Sequence, residues 1–219
     1  MNALDARRHS QGRLILVRHG ETAWSRTGRY TGRTDLPLTR EGERQASTLH
    51  PYLAGREYGA VLTSPLSRAR RTAALAGFTA EVEQNLVEWD YGPLEGRTEH
   101  EITTAVGRYW SIWDASAPDG FAPREPLAEV ATRADQALGR VLPVLETGSD
   151  VLVFAHAHLL HILAARLLQL PSRSAAKFAL SPASASVFSC RDSDWAVVGW
   201  NFTPWRCHEA TRPQPLPTR

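Results

Sequence analysis

The chain has 219 residues, 42% of them hydrophobic and 22% charged, with 25 basic and 23 acidic side chains and a formal net charge of +2. Such a length supplies one domain with a substantial core, and so small a net charge makes no case for nucleic acid, whose binding requires concentrated basic surface. No apolar run approaches membrane-spanning length, and Cys190 and Cys207 make neither a disulfide framework nor a CxxC metal site.

Met1 to Gly12 is polar, carries Arg7 and Arg8, and reads as a disordered tail. The four apolar residues that follow it are too few for a signal-peptide core, so a cytoplasmic location is expected. Leu14 to Val17 lacks helical periodicity and suits a strand buried on both faces. It stops at Arg18-His19-Gly20-Glu21-Thr22, a charged cluster at the carboxyl end of a buried strand, where open α/β sheets place their ligands. Gly20 permits an approach of backbone that a side chain would forbid. A Gly- and Arg-rich loop runs from Gly28 to Thr39. Thr39 caps an expected helix whose apolar positions Ala46, Leu49 and Leu53 share one face.

A second strand, Ala60 to Thr63, ends at Ser64-Pro65. Ser67 opens a helix with Arg68, Arg70 and Arg71 in its first turns; the last two read as surface charges. Basic residues there oppose the helix dipole and point to a nearby anion. A short piece, Glu81 to Leu86, precedes the loop Val87 to Gly92. Thr98 to Pro126 holds Tyr109, Trp110, Trp113 and Phe121, as a lid or as a satellite cluster would. Leu127 to Leu145 reads as a helix. Val151 to Phe154 is a third buried strand, followed by Ala155-His156-Ala157-His158 and a helix to Leu170. Val187 to Cys190 and Trp195 to Trp200 alternate around Asp192-Ser193-Asp194 as a hairpin does. Residues 13–203 form a single domain on this reading, and the Pro-rich stretch 204–219 a tail. The pattern predicts an α/β fold, a three-layer αβα sandwich with a mostly parallel central sheet.

Three strand ends then carry Arg18-His19, Ser64 with Arg68 close behind, and His156. If topology brings them together, two guanidiniums and two imidazoles surround one spot, and such a cluster repels itself unless an anion occupies it. Paired guanidiniums suit a phosphoryl group. A neutral imidazole can attack phosphorus while the other groups hold its equatorial oxygens. Glu88, on a loop between elements, can supply the leaving oxygen's proton. The scheme needs no metal and no cofactor. The string HAHLLH, with His158 and His161, admits a metal reading, but its usual carboxylate partners are not nearby in sequence. Trp89 and Tyr91 are core aromatics or site walls on equal terms, and Glu21 can pair structurally with an arginine.

The segments RHGETAW, GRYTGRTDLPLTREGERQA, TSPLSRARRTA, EWDYGPLEG and VFAHAH fall in the order of the histidine phosphatase superfamily, the phosphoglycerate-mutase-like fold, which the chain resembles from Leu14 to Trp200. EWDYG and AHAH look most like small bacterial acid phosphatases and the yeast sedoheptulose-bisphosphatase type. The resemblance implies that His19 is the phosphorylated nucleophile, that Arg18, Arg68 and His156 form the phosphate pocket, and that Glu88 is the proton donor. It implies substrate contacts from Ser25, Thr31, Gly32, Tyr91 and Ala157. Many family members have Asn where Ser25 stands, and most have Gly where Ala157 stands.

The expected activity is hydrolysis of phosphomonoesters of small metabolites. A sugar bisphosphatase is the alternative, followed by a phosphoglycerate mutase and a non-catalytic binder of phosphorylated ligands. A homodimer is among the assemblies allowed. The bisphosphatase requires a second anion site, for which Arg29, Arg33, Arg97, Arg108 and Arg124 are the loop candidates.

Overall fold

The computed structural model describes residues 12–114, 118, 120–191 and 194–206. Most of the two expected tails and the hairpin tip at Asp192 and Ser193 lie outside the described residues.

Six strands form one sheet in the order β3-β2-β4-β1-β5-β6: β1 Leu14–Arg18, β2 Tyr58–Thr63, β3 Glu81–Val82, β4 Asp150–Ala155, β5 Ala185–Arg191 and β6 Asp194–Phe202. The first four are parallel, and the β5–β6 hairpin joins β1 antiparallel. Helices α1 Ala23–Arg26, α2 Arg40–Ser47, α3 His50–Leu53, α4 Ser67–Leu75, α5 Glu99–Val106, α6 Leu127–Glu146 and α7 Ala157–Leu167 complete the fold.

Alternation along the strands builds the sandwich. Leu14 and Leu16 of β1, with Val151 and Val153 of β4, face the α6–α7 layer, where Ala134, Leu138 and Val141 meet Leu160 and Leu163. Ile15, Val17, Leu152 and Phe154 face the other way, against Leu49, Leu53, Ala73 and Ala76. Both faces of the central strands are thus covered, which accounts for their uninterrupted apolar runs.

Local structure departs from the sequence reading in three places. The helix expected after Thr39 is two helices, α2 and α3, because the chain bends at Thr48-Leu49 and Pro51 follows at the second residue of α3. Glu81 to Leu86 is a two-residue strand and a single 3₁₀ turn. The aromatic region after Thr98 opens with α5, closed by a Thr98–Glu101 capping box and by Gly107 at φ +74°,. Its described residues include a packed cluster, with Trp110 and Ile112 buried in the main core and the Trp110 Nε1–H donating to the Phe121 carbonyl at 3.1 Å, while Tyr109 is exposed. Among the described residues no helix is long and apolar enough to cross a membrane.

Candidate active site

Strand register assembles the site. β1 and β4 pair with Arg18 opposite Ala155, and β2 and β4 pair with Thr63 opposite Phe154. His19, His156 and Ser64, each one residue beyond a strand, therefore emerge side by side. The imidazoles of His19 and His156 lie 5.1 Å apart, centroid to centroid.

Gly20 allows the turn after His19 to press against α2: a Cβ at Gly20 would sit 2.4 Å from the Gly42 carbonyl oxygen, and one at Gly42 would sit 2.1 Å from that of Glu21. The Gly20 N–H donates to Thr72 Oγ1 at 3.0 Å, and the Thr39 hydroxyl donates to Glu21 Oε1 at 2.8 Å. Glu21 is therefore structural, with a threonine rather than an arginine as partner.

His19 is 5% exposed, and its Nδ1 lies 2.7 Å from the Gly20 carbonyl oxygen. A carbonyl only accepts, so Nδ1 carries the proton and Nε2 keeps its lone pair. Burial, then Arg68, then Arg18 hold this imidazole well below its usual range,. The tautomer with Nε2 unprotonated is thus fixed by one hydrogen bond and the neutral form by its surroundings.

Arg68 is fully buried. Its Nε–H donates to His156 Nδ1 at 3.2 Å, Nη1 to the Thr34 carbonyl at 2.9 Å, and Nη2 to those of Thr31 and Gly32 at 3.1 and 2.8 Å. Since Nδ1 of His156 accepts, its Nε2–H donates to Ser64 Oγ, 2.7 Å away. Burial and the neighbouring Arg68 keep His156 neutral as well. The self-repulsion expected of two arginines and two histidines is avoided by neutral imidazoles and by carbonyls around the guanidinium. The anion expected at the start of α4 is the protein's own Asp35, which accepts the Ser67 N–H at 2.9 Å and lies 3.8 Å from Arg68. Arg71 is a surface charge, paired with Glu43 at 2.8 Å.

Arg18 donates through Nη1 to the Leu180 carbonyl, and its buried Nε has no partner among the described residues. Glu88, 4% exposed, accepts the backbone N–H groups of Trp89 and Leu159 on Oε1, both at 2.9 Å, and of His158 on Oε2 at 3.2 Å. The carboxyl group thereby caps α7, whose first residue is Ala157; no bond within the helix can use the Ala157 N–H,.

A cavity of about 380 Å³ opens over these groups, bordered by Arg18, His19, Ser25, Thr31, Glu88, Tyr91 and Ala157. Arg68, His156 and Gly32 lie behind this wall. Ser25 is tied into α1, its hydroxyl 2.8 Å from the Thr22 N–H. The Tyr91 hydroxyl is 2.6 Å from His158 Nδ1, and burial with Glu88 nearby holds the phenol protonated. Tyr91 is both core and wall, whereas Trp89 is core and does not border this cavity.

Sequence reasoning left His158 and His161 without a role, yet both border the cavity. Their i, i+3 spacing on the helix after His156 was the available signal. They build no metal cluster with His156, whose two ring nitrogens are engaged, and no group of three or more potential ligands converges among the described residues.

A strand-end site with a neutral imidazole, the buried guanidinium of Arg68, the half-buried one of Arg18 and an adjacent carboxyl defines an enzyme of phosphoryl transfer. The sequence profile of the histidine phosphatase superfamily, branch 1, matches residues 14–203, and the chain belongs to that family. An acid phosphatase of Mycobacterium tuberculosis is 39% identical over 178 residues, 80% of this chain and 85% of the relative. Sedoheptulose 1,7-bisphosphatase of Saccharomyces cerevisiae is 34% identical over 183 residues, 70% of this chain and 66% of the relative. A probable phosphoglycerate mutase of Cronobacter sakazakii is 32% identical over 192 residues, 85% and 89% of the two chains. A solved structure of a Mycobacterium tuberculosis open reading frame superposes with a TM-score of 0.81 at 35% identity, covering 88% of this chain and 98% of that one.

Proposed function

We propose that the chain hydrolyses phosphomonoesters of small metabolites through a phosphohistidine on His19. The observation that carries this is the His19 imidazole itself, neutral and proton-bearing on Nδ1 beside the cavity, with two fixed guanidiniums alongside.

In the first step His19 Nε2 attacks phosphorus and the bond to the alcohol oxygen breaks. That oxygen takes its proton from the Glu88 carboxyl. Arg18 and the Ala157 N–H hold the equatorial oxygens, and Arg68 acts from behind through His156. In the second step water attacks the phosphohistidine and returns a proton to Glu88, releasing phosphate and restoring neutral His19. A cytoplasmic setting is kept on the cysteine usage and apolar-run lengths of the sequence.

A bisphosphatase receives no support from the loop arginines. Of the five candidates only Arg29 borders the cavity, and its guanidinium is paired bidentate with Glu101 at 2.9 and 3.1 Å. Arg33 lies 3.7 Å from Glu125, Arg108 3.6 Å from Asp114 and Arg124 3.5 Å from Asp90, while Arg97 lies over the Phe121 ring. Glu99, also on the cavity wall, opposes a second phosphate.

Rapid acid-free quenching during turnover of a labelled phosphomonoester should trap phosphate on His19, labile to acid and stable to alkali. His19→Ala should abolish both the trapped label and phosphate release. Wild-type rates in His19→Ala would refute the mechanism, and isomerisation of 3-phosphoglycerate outpacing phosphate release would make the chain a mutase.

A further inference from the structure

The Glu88 carboxyl is carried by residues 87–91, which lie between two 3₁₀ turns, Gln84–Leu86 and Gly92–Leu94, and belong to neither helix nor strand. The regular hydrogen bonding of an element therefore does not set its place beside the cavity. A side chain from α6 grips this stretch instead. Arg133 donates through Nη1 to the carbonyls of Asn85 and Val87, both at 2.9 Å, just before Glu88. Through Nε and Nη2 it holds the Glu125 carboxylate bidentate, at 2.6 and 3.0 Å. Glu125 closes the clamp on the other side of Glu88. Its Oε2 accepts the Asp90 N–H at 3.1 Å, its own N–H donates to the Asp90 carbonyl at 3.1 Å, and its carbonyl accepts the Trp89 Nε1–H at 2.7 Å.

The Arg133 and Glu125 side chains are 15% and 9% exposed. An ion pair so far out of water adds little net stability over apolar residues of the same volume. What the planar guanidinium fork adds is direction, since it fixes a carboxylate and two carbonyls in one geometry. Neither residue borders the cavity that holds His19 and Glu88, so neither meets a substrate there. Both instead hold the backbone on either side of the one carboxyl that must reach the leaving oxygen. Glu88 is thus pinned twice, by α7 through its side chain and by α6 through its backbone.

We infer that Arg133 and Glu125 are positioning residues for proton donation: they set the Glu88 carboxyl against the leaving oxygen and act on the reaction through it. The inference deepens the phosphatase reading and rests on Glu88 being its acid.

Propyl phosphate and p-nitrophenyl phosphate test it, because only the first depends on a proton reaching its leaving oxygen as the bond to phosphorus breaks. Arg133→Met removes the fork. It should lower kcat/KM for propyl phosphate by up to about 100-fold, the loss expected when a reacting group moves by about 1 Å, and lower that for p-nitrophenyl phosphate far less. A role in folding alone would lower both in proportion. In Glu88→Gln the acid is already gone, so adding Arg133→Met should cost propyl phosphate less than about threefold more, as for residues that act as one unit. Equal losses on the two esters in Arg133→Met, or losses that multiply in the double variant, overturn the proposal. Arg133→Lys keeps a positive charge beside Glu125 but lacks the fork, and should show the same selectivity at smaller amplitude. It decides the matter should the methionine variant fail to fold. If Glu88→Gln itself slows both esters equally, Glu88 is not the acid and the proposal falls with that reading. If Glu88→Gln is selective and the Arg133 variants are not, the proposal alone falls.

Discussion

At the residue scale, the site works by settling where protons are. The Gly20 carbonyl leaves Nε2 of His19 open, and Arg68, which can only donate, orients His156 toward Ser64. Glu88 combines two tasks, as it caps α7 through backbone N–H groups and borders the cavity. Glu88→Gln removes the transferable proton and turns part of an acceptor into a donor against those N–H groups. It should slow alkyl phosphates about 10²- to 10⁴-fold, the usual worth of a general acid, and slow p-nitrophenyl phosphate, whose leaving group needs little help, far less. Equal losses on the two substrates would leave Glu88 with its capping role only. Of the residues named from sequence as catalytic, Arg18, His19 and His156 stand at strand ends, which parallel topology makes neighbours, while Arg68 on α4 and Glu88 on a loop are brought beside them by the fold. His158 and His161 admit only a metal reading from the sequence, because their place on the cavity wall is set by the fold.

At the scale of elements, most of the fold was legible wherever a buried strand or a long periodic helix wrote its pattern. The runs Leu14 to Val17 and Val151 to Phe154, and the stripe Val130, Ala134, Ala137, Leu138, Val141 along α6, needed no tertiary information. What sequence could not show was contact between loops. Asp35 at the start of α4 and the carbonyls of Thr31, Gly32 and Thr34 around Arg68 are backbone and side-chain partners fixed only by folding. The same holds for Gly42, whose role is visible only once α2 rests on the turn after His19. Gly42→Ala must push that turn away, because its Cβ would overlap the Glu21 carbonyl. Overpacking of this kind costs about 1–3 kcal/mol, and displacing a nucleophile by about 1 Å can lower kcat/KM by up to ~100-fold. Thermal unfolding and phosphate release should both suffer, although residue 42 does not border the cavity. An unaffected variant would mean that α2 does not position His19.

At the scale of the whole molecule, the cluster at the strand ends has a consequence for stability in acid. His19, His156, His158 and His161 are all held below the ordinary imidazole value of 6.5, chiefly by burial. An imidazole with a lowered pKa binds fewer protons folded than unfolded once the pH drops below 6.5. Its contribution is therefore complete above that pH and is lost as the pH falls toward the folded value, by up to about 1.4 kcal/mol per pH unit for each ring. The melting temperature should decline steadily between pH 6.5 and 5. In His161→Leu the decline should be shallower by one proton's worth, because the ring held at about 2 is gone. The proposed nucleophile responds in the opposite sense: His19 stays neutral, and so able to attack phosphorus, well into this range. The acid limb of the pH–rate profile should then follow loss of the fold rather than protonation of His19, and should move with the melting curve in His161→Leu. Melting temperatures from pH 7.5 to 4.5, set beside initial rates over the same range, decide it. A flat melting curve, or an acid limb near 6.5 in fully folded protein, would show that the strand-end imidazoles are not held neutral.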